Sequence, residues 1–446
     1  MTDSPSALVL DWATASPEAR KRFSRPVRPA AGSPADDALL DGIRQLIEDV
    51  RTRGDSALLQ ALKQFDGIDL SPRHIRVEAA EFAAAREALD PATTEAIRVA
   101  IAQVRAFSEK ERGHASWQER GDGTLLGVTA KPLDSVGLFV PCGKGSFPSV
   151  LVQIATPAVV AGVPRIAVAV PPVAGTPGQV DPAVLVAAQE LGIDEVYRVN
   201  GPAGIAALAY GTETVPRVDK IVGPGSPAVA LAQREVQRSG CLVEVGYGPS
   251  DSLIVCDGQA RPDLLAADLL NEAEHGPDSS AVLVGTDASV LARAAEEVAR
   301  QMALLPEPRR RYAHSSLHDN GGIVLVPSLS EAMDIANDYA PEHLQLAVAE
   351  PESLLPLVRH AGTVLLGQWT TFAASNFAIG TPATLPTAGF ARITSGVTTA
   401  TYMKRIAIAA LDRNAFERIA PAVKTLAVHE GFPAHAASVT IRQEGS

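Results

Sequence analysis

The chain is short of cysteine, of positive charge and of long apolar runs, and each shortage excludes a class of protein. Only three cysteines occur among 446 residues, Cys142, Cys241 and Cys256, with no CxxC spacing, so neither a disulfide framework nor a thiolate zinc site is expected. Cys142, in the glycine-containing stretch VPCGKGS, is the one cysteine to weigh as a nucleophile, and no helix start or neighbouring histidine is visible there to lower its pKa. Lysine and arginine number 39 against 51 aspartates and glutamates, a formal charge of −12. That balance argues against a nucleic-acid partner, because neutralising phosphates needs clustered basic side chains. No uninterrupted apolar run reaches the roughly 18 residues of a spanning helix. The start, MTDSPSALVLDW, lacks a basic segment followed by a long apolar core. The expectation is a cytoplasmic protein with no membrane segment.

What is present is an ordinary globular composition, 46% hydrophobic and 20% charged, long enough for two or more domains. Residues 1–125 read as a helical N-terminal region: DALLDGIRQLIEDVRTRGDSALLQALKQFDG and EFAAAREALDPATTEAIRVAIAQVRAFSEK carry apolar residues at three- and four-residue spacing. From residue 126 to 245 the pattern alternates between short β-branched strands and helices, from SVGLFVP through SVLVQIATPAVVAG and RIAVAVPP to VDKIVGPG, as in a parallel sheet with helices on its faces. A second set of similar length, 246–378, runs from DSLIVCD through DLLAADLLNEAEHG and SAVLVGTD to LQLAVA and GTVLLG. The fold class is therefore α/β, two Rossmann-like halves with a cleft between them. The helical N-terminal region is expected to pack partly on the second half. Residues 379–446 lose the alternation, and such an extension often docks elsewhere or on a partner chain.

Nine histidines are few enough to weigh singly. Three stand at ends of expected elements beside Gly or Pro turns and acidic neighbours: His275 in NEAEHGPDS, His343 in APEHLQL and His435 in EGFPAH. The run RPDLLAADLL before NEAEH has helical spacing and HGPDS stops it, so Glu272 and His275, three apart, share a face. Taken alone, a Glu–His pair at a helix end is more often a solvated cap than a ligand. Ends of elements at the crevice of an open sheet are, however, where ligands usually bind.

Over nearly its whole length the chain resembles the histidinol dehydrogenase family, through VGLFVP, NGPAGIAALAYGTETVP, VDKIVGPG, GYGPSDSLIV, DLLNEAEHGPDS, YAPEHLQL, the segment ending LPTAG, and EGFPAH, in that order. The resemblance implies a homodimer whose C-terminal extension completes the partner's site, one zinc ion per site, NAD, and oxidation of an alcohol through an aldehyde to a carboxylate with two hydride transfers. It carries the metal ligands onto Glu272, His275, Asn376 and His435 and the acid/base pair onto Glu342 and His343. It carries substrate contacts onto Ser250, Glu430 and the same metal-site and His343 side chains, and cofactor positions onto Phe139, Ala203 and Ser226. Zinc held by imidazole and oxygen ligands suits polarisation of an alcohol, and a neutral histidine suits removal of its proton.

The chain departs from the family's pattern in places. Relatives usually carry Gln at the position of Glu272 and Asp at that of Asn376, so a carboxylate and an amide have exchanged places and the ligand charge is unchanged. An Asn-His pair becomes Pro382 and Ala383, and Tyr, Gln and Asn become Phe139, Ala203 and Ser226. L-histidinol is the default substrate. A paralogue acting on another small polar alcohol, such as a sulfonated propanediol, and a silent relative that binds without turnover remain open alternatives. GPGSPAV, after the strand VDKIV, is placed to receive a diphosphate at a helix start or to be a plain turn. The choice of NAD over NADP comes from the resemblance alone.

Overall fold

The computed structural model describes residues 9–24, 34–142, 146–244, 246 and 248–444. The first eight residues, residues 143–145 of the VPCGKGS loop, and Val245 and Tyr247 of the VGYGPS stretch lie outside them.

The strands, in chain order, are β1 (Val9–Asp11), β2 (Trp117–Gly121), β3 (Thr124–Pro132), β4 (Ser135–Phe139), β5 (Arg165–Val170), β6 (Val196–Arg198), β7 (Lys220–Val222), β8 (Leu242–Val243), β9 (Asp251–Cys256), β10 (Ser280–Gly285), β11 (Gly322–Leu325), β12 (His343–Ala347), β13 (Thr363–Leu366) and β14 (Met403–Leu411). The first half is a parallel sheet ordered β6-β5-β4-β7-β8, and the second is ordered β1-β11-β10-β9-β12-β13. Leaving out the edge strand β1, both halves follow the same path. Each starts at a central strand, winds outward on one side, then crosses to the other. Each therefore has a switch point, between β4 and β7 and between β9 and β12, where neighbouring crossovers diverge.

Both sheets are buried on two faces, which is why their strands read as nearly continuous apolar runs. In β4, Val136 and Leu138 enter one core with the helix Pro148–Ala161, while Phe139 turns to the opposite core. In β9, Leu253 and Val255 face one side and Ile254 and Cys256 the other.

The N-terminal region divides. Its helices pack on the first half: Phe82, Ile97, Ile101 and Val104 join one face of that half and Ile43, Ile47 and Leu58 the other. What packs on the second half is β1, paired in parallel with β11, and Phe23. The region ends in strands rather than helix, since β2 and β3 form a hairpin that β14 extends antiparallel. The C-terminal segment first crosses its own chain, burying Tyr402 in the first half with its hydroxyl on the carbonyl of Ile154. It ends in two helices, Arg413–His429 and Pro433–Glu444, joined at Gly431, whose φ of 76° suits glycine at a helix terminus. Among the described residues no helix is long and apolar enough to cross a membrane.

Candidate active site

Between the two sheets lies a cleft of about 460 Å³. The first half presents the carboxyl ends of its switch-point strands, through Pro141 after β4 and Pro224–Pro227 after β7. The second half presents the opposite ends: Ser250 precedes β9, Ser279 precedes β10, and Glu342 and His343 stand at the start of β12. The candidate site lies at strand ends, and the second half contributes its amino ends, which strand periodicity alone does not distinguish.

Glu272 and His275 come from the end of the helix Pro262–Ala273. This helix starts with Pro at its first position, buries Leu265, Leu269 and Leu270, and stops before Gly276-Pro277. Glu272 is 1% exposed. Its Oε1 accepts from Asn376 Nδ2 at 2.8 Å and Asn271 Nδ2 at 3.0 Å, and its Oε2 lies 3.6 Å from His275 Nδ1. Burial pushes the Glu272 carboxyl up, but the charges of His275 and His343 and the two amide donors outweigh it and hold the group below its ordinary value. Asn376 lies on the short helix Phe372–Phe377, capped by Thr371, whose hydroxyl accepts from the Ala374 N–H.

His343 pairs with Ser252 in register between β12 and β9 and is 2% exposed. Burial lowers its pKa below the ordinary imidazole value, against the pull of Glu272, so the ring is neutral near neutral pH. Its Nε2 lies 3.8 Å from Glu342 Oε1, and Phe372 packs against the ring with centroids 5.6 Å apart. Glu342 is also buried, and burial, Glu272 and Asp251 raise its pKa well above the usual carboxylate value. Asp251 was not singled out from the sequence, yet it organises this corner. Its Oδ1 accepts from the Glu342 N–H at 2.7 Å, its Oδ2 accepts from the Ala388 N–H at 2.7 Å, and its own N–H donates to Glu342 Oε2 at 3.2 Å. The only sequence signal was its place beside Ser250 in GPSD. Thr387, also unanticipated, accepts from the Gly248 N–H at 2.7 Å and donates to the Gly246 carbonyl, fixing the loop that carries Ser250.

Glu272, His275, Glu342, His343, Asn376, Ser250 and Ser226 thus line one cleft. His435 and Glu430 do not: both are exposed on the C-terminal helix pair. Phe139 and Ala203 do not reach it either. Phe139 points off the far face of β4, its carbonyl against Gly223, and Ala203 packs down from the helix Gly201–Tyr210 into the same core. No group of three or more His, Cys, Asp or Glu suited to a metal ion occurs among the described residues. The third donor group beside Glu272 and His275 is the Asn376 amide. Cys241 and Cys256 are buried, with pKa values pushed up to about 12, and burial also raises Cys142, so none is an activated thiolate.

The sequence and the fold both have counterparts among known proteins. The family described as Histidinol dehydrogenase matches residues 31–443. Histidinol dehydrogenase of a Synechococcus species is 41% identical over 413 residues, covering 92% of this chain and 94% of its own. That of Moorella thermoacetica is 41% identical over 404 residues, covering 90% and 94%. The crystal structure of histidinol dehydrogenase from Elizabethkingia anophelis shares the fold with a TM-score of 0.90 at 30% identity, over 98% of both chains. The chain belongs to the histidinol dehydrogenase family of oxidoreductases.

Proposed function

We propose that this protein oxidises L-histidinol through the aldehyde to the carboxylate, passing two hydrides to NAD, in the cytoplasm, as a homodimer with one zinc ion per site. The observation that carries the reading is a buried, neutral imidazole, His343, set in one cleft with the buried carboxylate Glu272 and with His275.

The donor set suits a cation. Glu272 is buried as a carboxylate, held below its ordinary pKa beside His275 and two amide donors, and a deprotonated carboxylate next to an imidazole is a ready pair of metal ligands. Glu272, His275 and Asn376 would hold zinc, with His435 of a second copy completing the set. Bound there, zinc would polarise the substrate alcohol and fix its position. The cofactor side also suits its role: the helix Pro227–Val236 opens at the cleft with Ser226 as its cap, a place where a diphosphate meets backbone N–H groups. NAD would supply the hydride acceptor.

The chain's own residues handle the protons. His343 takes the hydroxyl proton at Nε2 as hydride leaves the carbon. Glu342, held by two hydrogen bonds to Asp251, is placed beside His343 to activate the water that hydrates the aldehyde. Burial, Glu272 and Asp251 raise its pKa, and a cation held by Glu272 would lower it again toward the carboxylate form that a general base requires. Ser250, which lines the cleft on the side of the second half, would contact the substrate, and Glu430 of a second copy would join it.

Support for the homodimer comes from exposed apolar side chains on β3, β14, the two C-terminal helices and the turn between them, including Leu126, Ile406, Leu426, Val428, Phe432 and Ile441. The face carries Glu430 and His435 and leaves this much apolar surface without a partner in one chain.

A second reading keeps the chemistry and changes the substrate. Ala383 lines the cleft with no hydrogen-bonding group, at a position where relatives carry histidine, so a different small polar alcohol, such as a sulfonated propanediol, would meet a less polar wall. NADH formation by zinc-loaded protein with L-histidinol, against a panel of small polar alcohols, separates the readings. Turnover of L-histidinol supports the first; turnover only of another alcohol supports the second. No turnover with any of them would leave a silent relative that binds without reacting.

A further inference from the structure

Gln153 lies in the helix Pro148–Ala161, on the side that also turns Ser149 and Val150 to the cleft. It is 3% exposed, and neither its Nε2 nor its Oε1 has a hydrogen-bond partner among the described residues. A buried amide without a partner is costly, because it has given up its hydrogen bonds to water and gained none. Its helical neighbours Leu151, Val152, Ile154 and Ala155 are buried and apolar, so a methionine or leucine at 153 would fit the helix without that cost. Among the described residues nothing satisfies the amide, and it lines the cleft, where an entering group can.

The two walls differ in chemistry. The second half brings Glu272, His275, Glu342, His343 and Asn376, the groups suited to a metal ion and an alcohol. The first half brings Pro141, Phe147, Val150 and Pro224–Pro227, with no ionisable side chain among them, and Gln153 is its buried polar group. A hydride acceptor must lie between the alcohol carbon and this wall. The nicotinamide ring carries one polar substituent, a carboxamide, with one acceptor oxygen and one NH2 donor. A glutamine amide offers the complementary pair, so the two can join through antiparallel N–H···O bonds.

Resting on the function proposed above, we propose that Gln153 is a cofactor-positioning residue that binds the nicotinamide carboxamide and sets which ring face turns toward the alcohol. The substitution Gln153→Met removes the amide and keeps the length.

The test is equilibrium binding to zinc-loaded protein, without substrate, of NAD and of its 3-acetylpyridine analogue, in which a methyl group replaces the carboxamide NH2. Wild-type protein is expected to prefer NAD by roughly three- to tenfold, the worth of one hydrogen bond. Gln153→Met is expected to bind the two alike, and to melt, ligand-free, at or above the wild-type temperature. If the variant keeps the wild-type preference for NAD, or wild type has none, the assignment of Gln153 is overturned and the rest of the account stands. If wild type binds neither dinucleotide, the cofactor reading fails and takes this inference with it. Should Gln153→Met not fold, the comparison of the two dinucleotides on wild type still decides the carboxamide contact, and Gln153→Leu repeats the test on the protein side.

Discussion

Asn376 donates from its side-chain Nδ2 to Glu272 Oε1 at 2.8 Å, tying the ends of two helices that stand 104 residues apart in sequence. In this form the amide neutralises nothing; it satisfies one oxygen of a buried carboxylate. To serve a metal ion the amide must turn its oxygen inward, which it can do without changing shape.

Asn376→Asp replaces that donor with a second carboxylate. Without metal, the variant should lose about 1–2 kcal/mol above neutral pH, because two carboxylates in contact cannot both ionise cheaply. The loss should shrink in acid, where one of them is protonated. With zinc, the variant should gain more stability than wild type does. Thermal melts with and without zinc check this, and equal zinc shifts in the two proteins would remove Asn376 from the metal site.

His275 and His343 have separable roles. His275→Ala should lose bound zinc and activity while remaining folded. His343→Ala should keep its zinc, as measured by metal analysis, and lose about 10²–10⁴ in kcat, the usual contribution of a positioned acid or base. Unchanged metal content in His275→Ala would show the ligand assignment to be wrong.

Asp268, one turn before Glu272, is 7% exposed. Burial raises its pKa from 3.8 to about 6, opposed by the Gln345 amide that donates to it at 2.8 Å and assisted by Glu272. The folded protein therefore holds this proton more tightly than the unfolded chain. Stability from this group is full below about pH 4 and is lost as pH rises through about 6. Asp268→Asn removes the cost and keeps an acceptor for Gln345. At pH 8 the metal-free variant should be about 1–3 kcal/mol more stable, with the gain fading toward pH 4. Denaturant midpoints at the two pH values check the sign, and a gain independent of pH would refute this origin.

His435 tests the shared site. Protein carrying only His343→Ala and protein carrying only His435→Ala should each be nearly inactive. Co-refolded in equal amounts, they should recover about a quarter of wild-type activity, since half the dimers are mixed and each mixed dimer has one intact site. No recovery would mean that each site draws on a single chain.

Much of this was legible in the sequence, for physical reasons that particular residues show. Strands buried on both faces, such as SVGLF and DSLIVC, stand out because a parallel sheet demands continuous apolar runs, and the alternation of strand and helix in both halves was readable. So was NEAEH, because a helix stop leaves a register. The three-residue strand β1 was missed because three residues carry no periodicity, and β2 and β3 because they directly follow a long helical run. Sheet order was beyond reach, since it depends on which way each crossover turns. Asp251 and Gln153 escaped because a single polar residue in or beside an apolar run has no pattern; only a structure shows what it faces. Phe139 and Ala203 illustrate the converse, positions brought forward by resemblance whose side chains the fold turns into the core.

The most direct test of the account is the number of NADH molecules formed per molecule of L-histidinol consumed by the zinc-loaded protein. The account predicts two, because Glu342 stands beside His343 to carry the aldehyde on to the carboxylate. One, with free aldehyde accumulating, would contradict the role of Glu342; none, with zinc and NAD both bound, would contradict the assignment of L-histidinol as substrate.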